Sequence, residues 1–169
     1  MEELIKWEHT YQVLKQYAER VVQNYKSSLE AKGHIATGKL MSNIDYFFEL
    51  DNARIEVTLR LDDYWKYLEY DTKPHFPPYK AILDWVKVKF HGNLPNTYDG
   101  NLPNVETLEK RFAYFTQKKI GEHGTVGSHM LQDAIDNANA SLEGMLEAAM
   151  QQDINEGIDA ILLTAFGNQ

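Results

Sequence analysis

Hydrophobic side chains near the start of the chain follow a helical period. Between residues 3 and 30 they recur every three or four positions and therefore lie along one side of a helix: Leu4, Trp7, Tyr11, Leu14, Ala18, Val21 and Tyr25. Gly33 comes next, and glycine commonly follows the last residue of a helix. The pattern predicts one long N-terminal helix with a single buried face.

The hydrophobic period then changes to two. Residues 38–50 include the alternating apolar positions Ile44, Tyr46 and Phe48, and residues 54–61 are apolar at every odd number. Alternation of this kind is typical of strands with one buried face, and Asp51-Asn52 between them is a turn signal. We expect an antiparallel hairpin over residues 40–61 that packs against the N-terminal helix. The predicted fold class is α+β, with further helices toward the C-terminus.

Aromatic residues and prolines dominate the next segment. Residues 64–70 read YWKYLEY and suit either an edge strand or a helical turn. Pro74, Pro77 and Pro78 exclude regular structure before Tyr79, and the last two are well placed to begin a helix. Residues 92–104 contain the pentapeptide GNLPN twice and predict an inserted surface loop.

Two more helices are predicted in the second half of the chain. Asn104 is a suitable N-cap for a helix to about Lys119, whose apolar side holds Val105, Leu108, Phe112 and Phe115. Ser128 is a suitable cap for a long last helix with apolar positions Leu131, Ala134, Ala138, Leu142, Met145 and Ala149. Residues 153–157 are expected to interrupt that pattern. We therefore expect one domain over residues 1–150, including the 92–104 loop, and an acidic C-terminal extension at residues 151–169.

Charge is distributed unevenly along the chain. The net charge is −8 and Lys119 is the last basic residue, so residues 120–169 carry eight acids and no Lys or Arg. This balance argues against a basic nucleic-acid-binding face. One interpretation is a solvated helix face; the other is an acidic surface that meets a basic partner or lets DNA slide past. The predicted residues of this acidic surface are Asp133, Asp136, Glu143 and Glu147.

Catalytic and cofactor motifs are missing from the sequence. There is no cysteine, no phosphate-binding glycine loop, no HExxH and no nucleophile elbow, and the six histidines are scattered. Asp62, Asp63 and Glu69 are candidates for a hard-cation site, and Glu69 with His75 for an acid–base pair. We expect no cofactor and no enzyme activity, with a small metal-dependent hydrolase using these four residues as the less favoured alternative. No apolar run approaches the roughly 18 residues of a membrane span.

Aromatic residues are concentrated between residues 64 and 85. A single domain of this size cannot bury all of them next to three prolines, and aromatic, rigid surface is typical of protein interfaces. Base stacking is the competing use, disfavoured by the acids among the few lysines. The predicted interface residues are Trp65, Tyr67, Tyr70 and Phe76, joined by Leu94 and Leu102 of the repeated loop.

Three segments, in order, resemble the small neck or tail-completion proteins of tailed double-stranded-DNA bacteriophages. Residues 37–44, TGKLMSNI, are similar to that family's T-G-x-L-x-x-S-I entry into its sheet. Residues 64–89 resemble its Y-x-x-Y-L-E-x-G-T…P-P…I…W-x-x-x-K stretch, and His123-Gly124-Thr125 its late G-T before the last helix. The family's glycine before the threonine is Asp71 here. A glycine indicates positive φ, which Asp tolerates better than most residues.

The resemblance implies a non-enzymatic virion protein. It implies an α+β subunit in a homo-oligomeric ring at the head–tail junction, which acts in tail completion and has double-stranded DNA passing through its lumen. The implied partners are a portal-side adaptor or stopper ring and tail proteins, and the implied location is the virion, assembled in the bacterial cytoplasm. A soluble protein-interaction module unrelated to phage remains the alternative from a different functional class.

Overall fold

The computed structural model describes residues 5–34, 39–51, 54–94 and 104–166. These residues form seven helices and one two-stranded antiparallel sheet, which confirms the predicted α+β class. The helices are α1 (Glu8–Ala31), α2 (Lys39–Ser42), α3 (Trp65–Glu69), α4 (Tyr79–Phe90), α5 (Val105–His123), α6 (Met130–Asn139) and α7 (Leu142–Phe166). The strands are β1 (Asp45–Asp51) and β2 (Arg54–Arg60).

The chain divides into two compact units, and each unit combines segments that are far apart in the sequence. The first unit comprises Met1–Ser28, Ile44–Arg60 and Leu131–Gln169, and the second comprises Leu29–Asn43 and Leu61–Met130. The boundary expected at residue 150 stays a prediction, although α7 crosses that position without a break. In the part of the chain that is described, no helix is long and apolar enough to cross a membrane.

Helix α1 supplies the core of the first unit. Its predicted apolar stripe is buried at Ala18, Val21 and Tyr25, while Leu4 lies outside the described residues. Ala18 has a small side chain, and Tyr25, two turns further along, is a large side chain that is equally buried. The helical period of the sequence therefore identifies the buried face of α1 correctly.

The hairpin has the predicted pairing but a shorter first arm. Phe48 pairs with Val57 and Tyr46 with Leu59, so the alternating apolar positions share one face. That face meets α1: the Phe48 and Tyr11 rings are 5.1 Å apart, and the Tyr46 hydroxyl donates to Glu19 at 2.9 Å. Residues 39–42 form α2 instead of strand, because lysine, leucine and methionine favour helix. Thr37, Gly38 and Asn52 lie outside the described residues.

The long helix predicted after Ser128 is two helices. α6 begins at Met130, after His129 at φ 48°, and ends before a turn at Ala140 and Ser141. Serine is a favoured N-cap. The carbonyl of Ser141 accepts the Met145 N–H in the first turn of α7, and its hydroxyl accepts from Arg20 at 2.7 Å. The predicted buried alanines of the two helices are buried: Ala134, Ala138 and Ala149.

The interruption predicted at residues 153–157 is wrong. α7 continues through them to Phe166, and both Asp153 and Gly157 are buried. The carboxylate of Asp153 accepts the backbone N–H groups of His9 at 3.0 Å and Thr10 at 2.9 Å. These are free N–H groups in the first turn of α1, so an acid that appeared to break one helix caps another.

The second unit is built mainly from α3, α4 and α5. Asn104 caps α5 as predicted, since its side chain accepts the Thr107 N–H at 2.9 Å, and α5 extends four residues past Lys119 to His123. The aromatic stretch after β2 is helical at α3, where the sequence left strand and helix open. Leu68, Val86 and Ala113 are buried in this unit. Residues 95–103, most of the predicted 92–104 loop, lie outside the described residues.

The predicted apolar side of α5 is partly wrong. Ala113 and Glu109 are the buried positions, whereas Val105 and Phe115 are exposed. Phe112 keeps its predicted role through ring contact with Phe90 at 5.0 Å. The buried face of α5 is thus rotated toward Glu109 and Ala113, which leaves the apolar side chains of Val105 and Phe115 at the surface.

Candidate assembly surface

The aromatic segment, residues 64–79, presents large side chains at the surface of the second unit. Tyr67, Tyr70 and Phe76 are 59 %, 55 % and 69 % exposed. Trp65 is half-buried and its ring lies 5.8 Å from that of Tyr70. Asp62 shapes the entry into α3, because its side chain accepts the Tyr64 N–H at 3.3 Å and its carbonyl accepts the Trp65 N–H at 2.9 Å.

Two of the three segments that resemble the phage family lie side by side. Thr72 forms an isolated antiparallel bridge with Thr125, and its N–H donates to the Thr125 carbonyl at 2.9 Å. Their hydroxyls are 2.8 Å apart, and the Thr125 N–H donates to the Thr72 hydroxyl at 3.0 Å. Gly124, at φ 72°, is required at this approach, because a Cβ there would overlap the Thr72 carbonyl.

Asp71 holds the same junction through its side chain and not through positive φ. Among the described non-glycine residues only His91 and His129 have positive φ, so the conformation expected at Asp71 is wrong. Its carboxylate instead accepts the Gly127 N–H at 2.7 Å. The Ser128 N–H donates to the Leu68 carbonyl at 2.7 Å, which adds a further tie between the two segments.

The proline part of the aromatic segment lies along α5. The Gln117 side chain donates to the Pro77 carbonyl at 2.7 Å, and the Tyr79 hydroxyl donates to the Lys110 carbonyl at 3.0 Å. Phe76 covers Gly121 so closely that a Cβ at this glycine would overlap its ring. Backbone contacts and prolines therefore fix the segment while the outer face of Phe76 stays in solvent.

The predicted interface residues differ in their exposure. Tyr67, Tyr70 and Phe76 are available to a partner, whereas part of Trp65 belongs to the fold. Leu94 is half-buried after α4, and Leu102 lies outside the described residues. Their assignment as interface residues stays a prediction.

The four predicted surface acids are all exposed on α6 and α7: Asp133, Asp136, Glu143 and Glu147. Asp136 accepts a hydrogen bond from Gln132 at 2.9 Å. Burial, together with the nearby Asp136 charge, raises the pKa of Tyr17. The four acids are thus in contact with solvent, and their charge affects nearby titratable groups. Asp153, by contrast, is buried.

The candidate chemical groups do not form a site. Among the described residues, no group of three or more His, Asp or Glu side chains is placed to hold a metal ion, so Asp62, Asp63 and Glu69 do not form the cation site considered above. Glu69 is buried at 3 % exposure, whereas the exposed His75 uses its Nδ1 on the Lys73 carbonyl at 2.9 Å. The alternative that Glu69 and His75 act as an acid–base pair stays a prediction.

A serine–histidine contact that the sequence did not predict occurs before α6. The Ser128 hydroxyl lies 3.3 Å from His34 Nε2, and the Lys32 ammonium donates to the Ser128 carbonyl at 2.9 Å. Burial, with the charges of Lys89 and Lys32, lowers the pKa of His34. No described carboxylate hydrogen-bonds His34, and the Gly127 and Ser128 N–H groups are already used. The contact ties the loop before α6 and lacks the remaining parts of a nucleophilic site.

Two exposed apolar features were not assigned a role from the sequence. Tyr114 and Phe115 of α5 are 55 % and 62 % exposed, and the end of α7 is exposed at every residue from Ile158 to Phe166. The signal was present as apolar residues at helical spacing. Periodicity alone, however, does not tell a face that packs within the chain from one that packs on a partner.

Comparisons with known proteins add no family to this picture. No family model matches the chain, and no curated protein or solved structure matches it. The resemblance to phage neck proteins accordingly rests on the three sequence segments.

Proposed function

We propose that this protein is a structural virion protein that forms a homo-oligomeric ring at the phage head–tail junction. The observation that carries the proposal is the Thr72–Thr125 bridge, which joins two of the family-like segments beside the exposed aromatic residues. The bridge brings together two family-like segments whose threonines lie 53 positions apart in the sequence.

The aromatic segment suits a subunit interface physically. Large aromatic side chains supply much of the binding energy of interfaces. Prolines, the bridge to Thr125 and the contact with α5 already restrict Tyr70 and Phe76, so little conformational entropy remains to be lost on binding. These properties support a permanent contact between subunits better than a transient encounter.

The acidic C-terminal third suits a ring through which DNA passes. A ring multiplies the seven exposed acids of residues 120–169, which exclude the buried Asp153, by its copy number. Acids that face the lumen repel the phosphate backbone and let DNA pass without adhering. Acids that face outward favour docking to a basic neighbouring ring. Both arrangements belong to a structural role, and we propose no enzyme activity.

The proposal is tested by the assembly state of the purified protein. Sedimentation velocity and native mass spectrometry over a range of concentrations should show a discrete oligomer above the monomer. Electron-microscopy class averages should then show a closed ring with a lumen wide enough for duplex DNA. A strict monomer at every concentration would refute the self-assembling ring and favour the interaction-module alternative.

A DNA mobility-shift measurement tells whether duplex DNA only passes through the ring or binds to it stably. The ring should not retain linear duplex DNA even at low salt, because its net charge is −8 per copy and its last fifty residues contain no Lys or Arg. A stable, salt-sensitive complex with duplex DNA would contradict the proposed passage role. A basic DNA-binding protein of similar size serves as the positive control.

A further inference from the structure

The end of α7 carries an apolar surface that nothing in its own chain covers among the described residues. We call Ile158–Phe166 the α7 tail; seven of its nine residues are Ile, Leu, Phe or Ala. All nine are exposed, with Leu163 at 72 % and Phe166 at 70 %. One turn earlier the same helix is buried at Asp153 and Gly157. A continuous apolar patch of this kind marks an interaction site.

Charge restricts what covers the α7 tail. Asp159 lies within it, the C-terminal end of the helix adds partial negative charge, and no basic residue occurs after Lys119. Pairing with the same region of a second copy would bring like charges together. A favourable partner surface is apolar with a positive rim, and in a second copy it lies within the first 119 residues.

The exposed face of α5 has this composition, with the Lys110 ammonium also donating to Glu106 of the same helix at 2.6 Å. A groove of about 440 Å³ is lined by Thr107, Lys110, Arg111, Tyr114 and Phe115. The rings of Tyr114 and Phe115 are 5.6 Å apart and more than half exposed. We call these five residues the α5 face.

We infer that the α7 tail of one copy docks on the α5 face of the next copy. The inference rests on the proposed ring and names the contact that builds it. From its first to its last residue the tail rises about 12 Å, which is also the rise of the α5 face from Thr107 to Phe115. Tail apolar residues cover Tyr114 and Phe115, and Lys110 lies at the negative end of the tail.

Such a contact is directional and weak by itself. Tail and face are different surfaces, so each copy offers one of each and the assembly extends head to tail until it closes. Two and a half helical turns bury less than the roughly 1,200 Å² of a typical stable complex. Single contacts are therefore weak, and closure of the ring makes the assembly cooperative.

The test uses one variant of each surface. The tail variant combines Leu163→Ser with Phe166→Ser, and the face variant combines Tyr114→Ser with Phe115→Ser. All four side chains are exposed, so thermal unfolding of each variant should match that of the native protein. Each variant alone should associate at least about tenfold more weakly than the native protein in sedimentation velocity.

Mixing the two variants gives the decisive result. The tail variant keeps a native α5 face and the face variant keeps a native α7 tail, so one contact forms between them and cannot extend. The mixture should contain a complex of one copy of each variant, whereas each variant alone should stay mostly monomeric at the same concentration. Because the chain has no cysteine, single cysteines can report the contact. Leu163→Cys is placed in the face variant and Phe115→Cys in the tail variant, and a short bismaleimide joins the two. Glu143→Cys on α7 is the matched control and should not cross-link to Phe115→Cys.

Other outcomes overturn the inference without touching the ring. A face variant that assembles normally, while the tail variant does not, would place the tail on another surface. Dimerisation of the face variant alone through Leu163→Cys would show pairing between two tails. Normal rings from both variants would show that neither surface builds the assembly. A native protein that is monomeric throughout would instead refute the proposed function itself.

Discussion

Asp153 accepts two hydrogen bonds from Thr10, one from its backbone N–H at 2.9 Å and one from its hydroxyl at 2.7 Å. Both residues are buried, and the second carboxylate oxygen accepts the His9 N–H at 3.0 Å. A residue in the middle of α7 thus satisfies the first turn of α1, 143 positions away in sequence. The two helices are thus joined by a specific, buried polar contact.

Replacement of Asp153 by alanine should destabilise the fold. We expect the free energy of unfolding to fall by about 2–4 kcal/mol, since the helix cap is lost and the Thr10 hydroxyl and N–H are left buried without this acceptor. Urea unfolding followed by circular dichroism measures the change. The control is Asp159→Ala on the exposed side of α7, which should stay within about 0.5 kcal/mol of the native protein. Equal effects of the two substitutions would contradict the capping role.

The Asp153 contribution should depend on pH. Burial disfavours its ionisation, but hydrogen bonds from Thr10 and His9 outweigh burial and lower its pKa. A carboxylate with a lowered folded-state pKa contributes stability that is present above its unfolded pKa of about 3.9 and lost as pH falls through the folded pKa. The difference in unfolding free energy between native protein and Asp153→Asn should therefore be constant from pH 5 to 7 and shrink below about pH 4. A difference that grew on acidification would give the opposite sign and exclude this explanation.

Gly124 should be irreplaceable by alanine. Its φ of 72° with ψ of −158° lies in a region that essentially only glycine adopts, and the added Cβ would meet the Thr72 carbonyl, which is backbone and cannot rotate away. We expect Gly124→Ala to lower the unfolding free energy by at least about 2 kcal/mol. The matched control is Gly144→Ala in α7, where a Cβ meets nothing within 4 Å. This control should gain about 0.5–1 kcal/mol, because alanine is the better helix former.

Phe76 should matter more for assembly than for folding. It is 69 % exposed and rests one edge on Gly121, so Phe76→Ala removes little buried area from the monomer. We expect at least about tenfold weaker association, with a change in unfolding free energy under about 1 kcal/mol. Phe47→Ala, on the outer face of the hairpin, is the control and should leave association unchanged. Easy unfolding of Phe76→Ala with normal assembly would make Phe76 a folding residue.

Self-assembly should strengthen as salt is added. Ring closure brings the acids of many copies together, and salt screens their repulsion. The proposed contact of the α7 tail is mainly apolar, so salt weakens this contact less than it weakens the repulsion between the acids. Sedimentation velocity at several salt concentrations measures the dependence. It should flatten when four exposed acids are made neutral: Asp133→Asn, Asp136→Asn, Glu143→Gln and Glu147→Gln.

A charge-matched control distinguishes position from net charge. Four exposed acids outside the last fifty residues can be neutralised instead: Glu8, Glu30, Glu49 and Asp63. This control should keep the native salt dependence. If both quadruple variants and the native protein behave alike, the acids form only a solvated surface. Docking to a basic neck partner should show the opposite trend and weaken with salt.

Local patterns were enough to predict several elements. The stripe of α1, the antiparallel hairpin and the Asn104 cap all depend on residues close in sequence or on a strict period. Such features are readable because helix and strand geometry fix which neighbours share a face. The α+β class follows from them directly.

The candidate surface could be predicted only in part. The concentration of aromatics and prolines marked residues 64–79, and three of the predicted side chains are exposed. The sequence did not show that Trp65 is half-buried, or that Phe115 leaves the core while Ala113 enters it. Both outcomes depend on which neighbouring element covers each helix face, and periodicity contains no information about that.

The sequence by itself determined the α+β class, the buried face of α1, the antiparallel hairpin and an acidic C-terminal third. Only the tertiary structure decided the roles of residues whose partners are distant along the chain. Asp153 becomes a helix cap through His9 and Thr10, and Asp71 an acceptor through Gly127. The physical reason is that a polar side chain gains its role from the groups it meets after folding, whereas a periodic apolar pattern is already present in the unfolded chain.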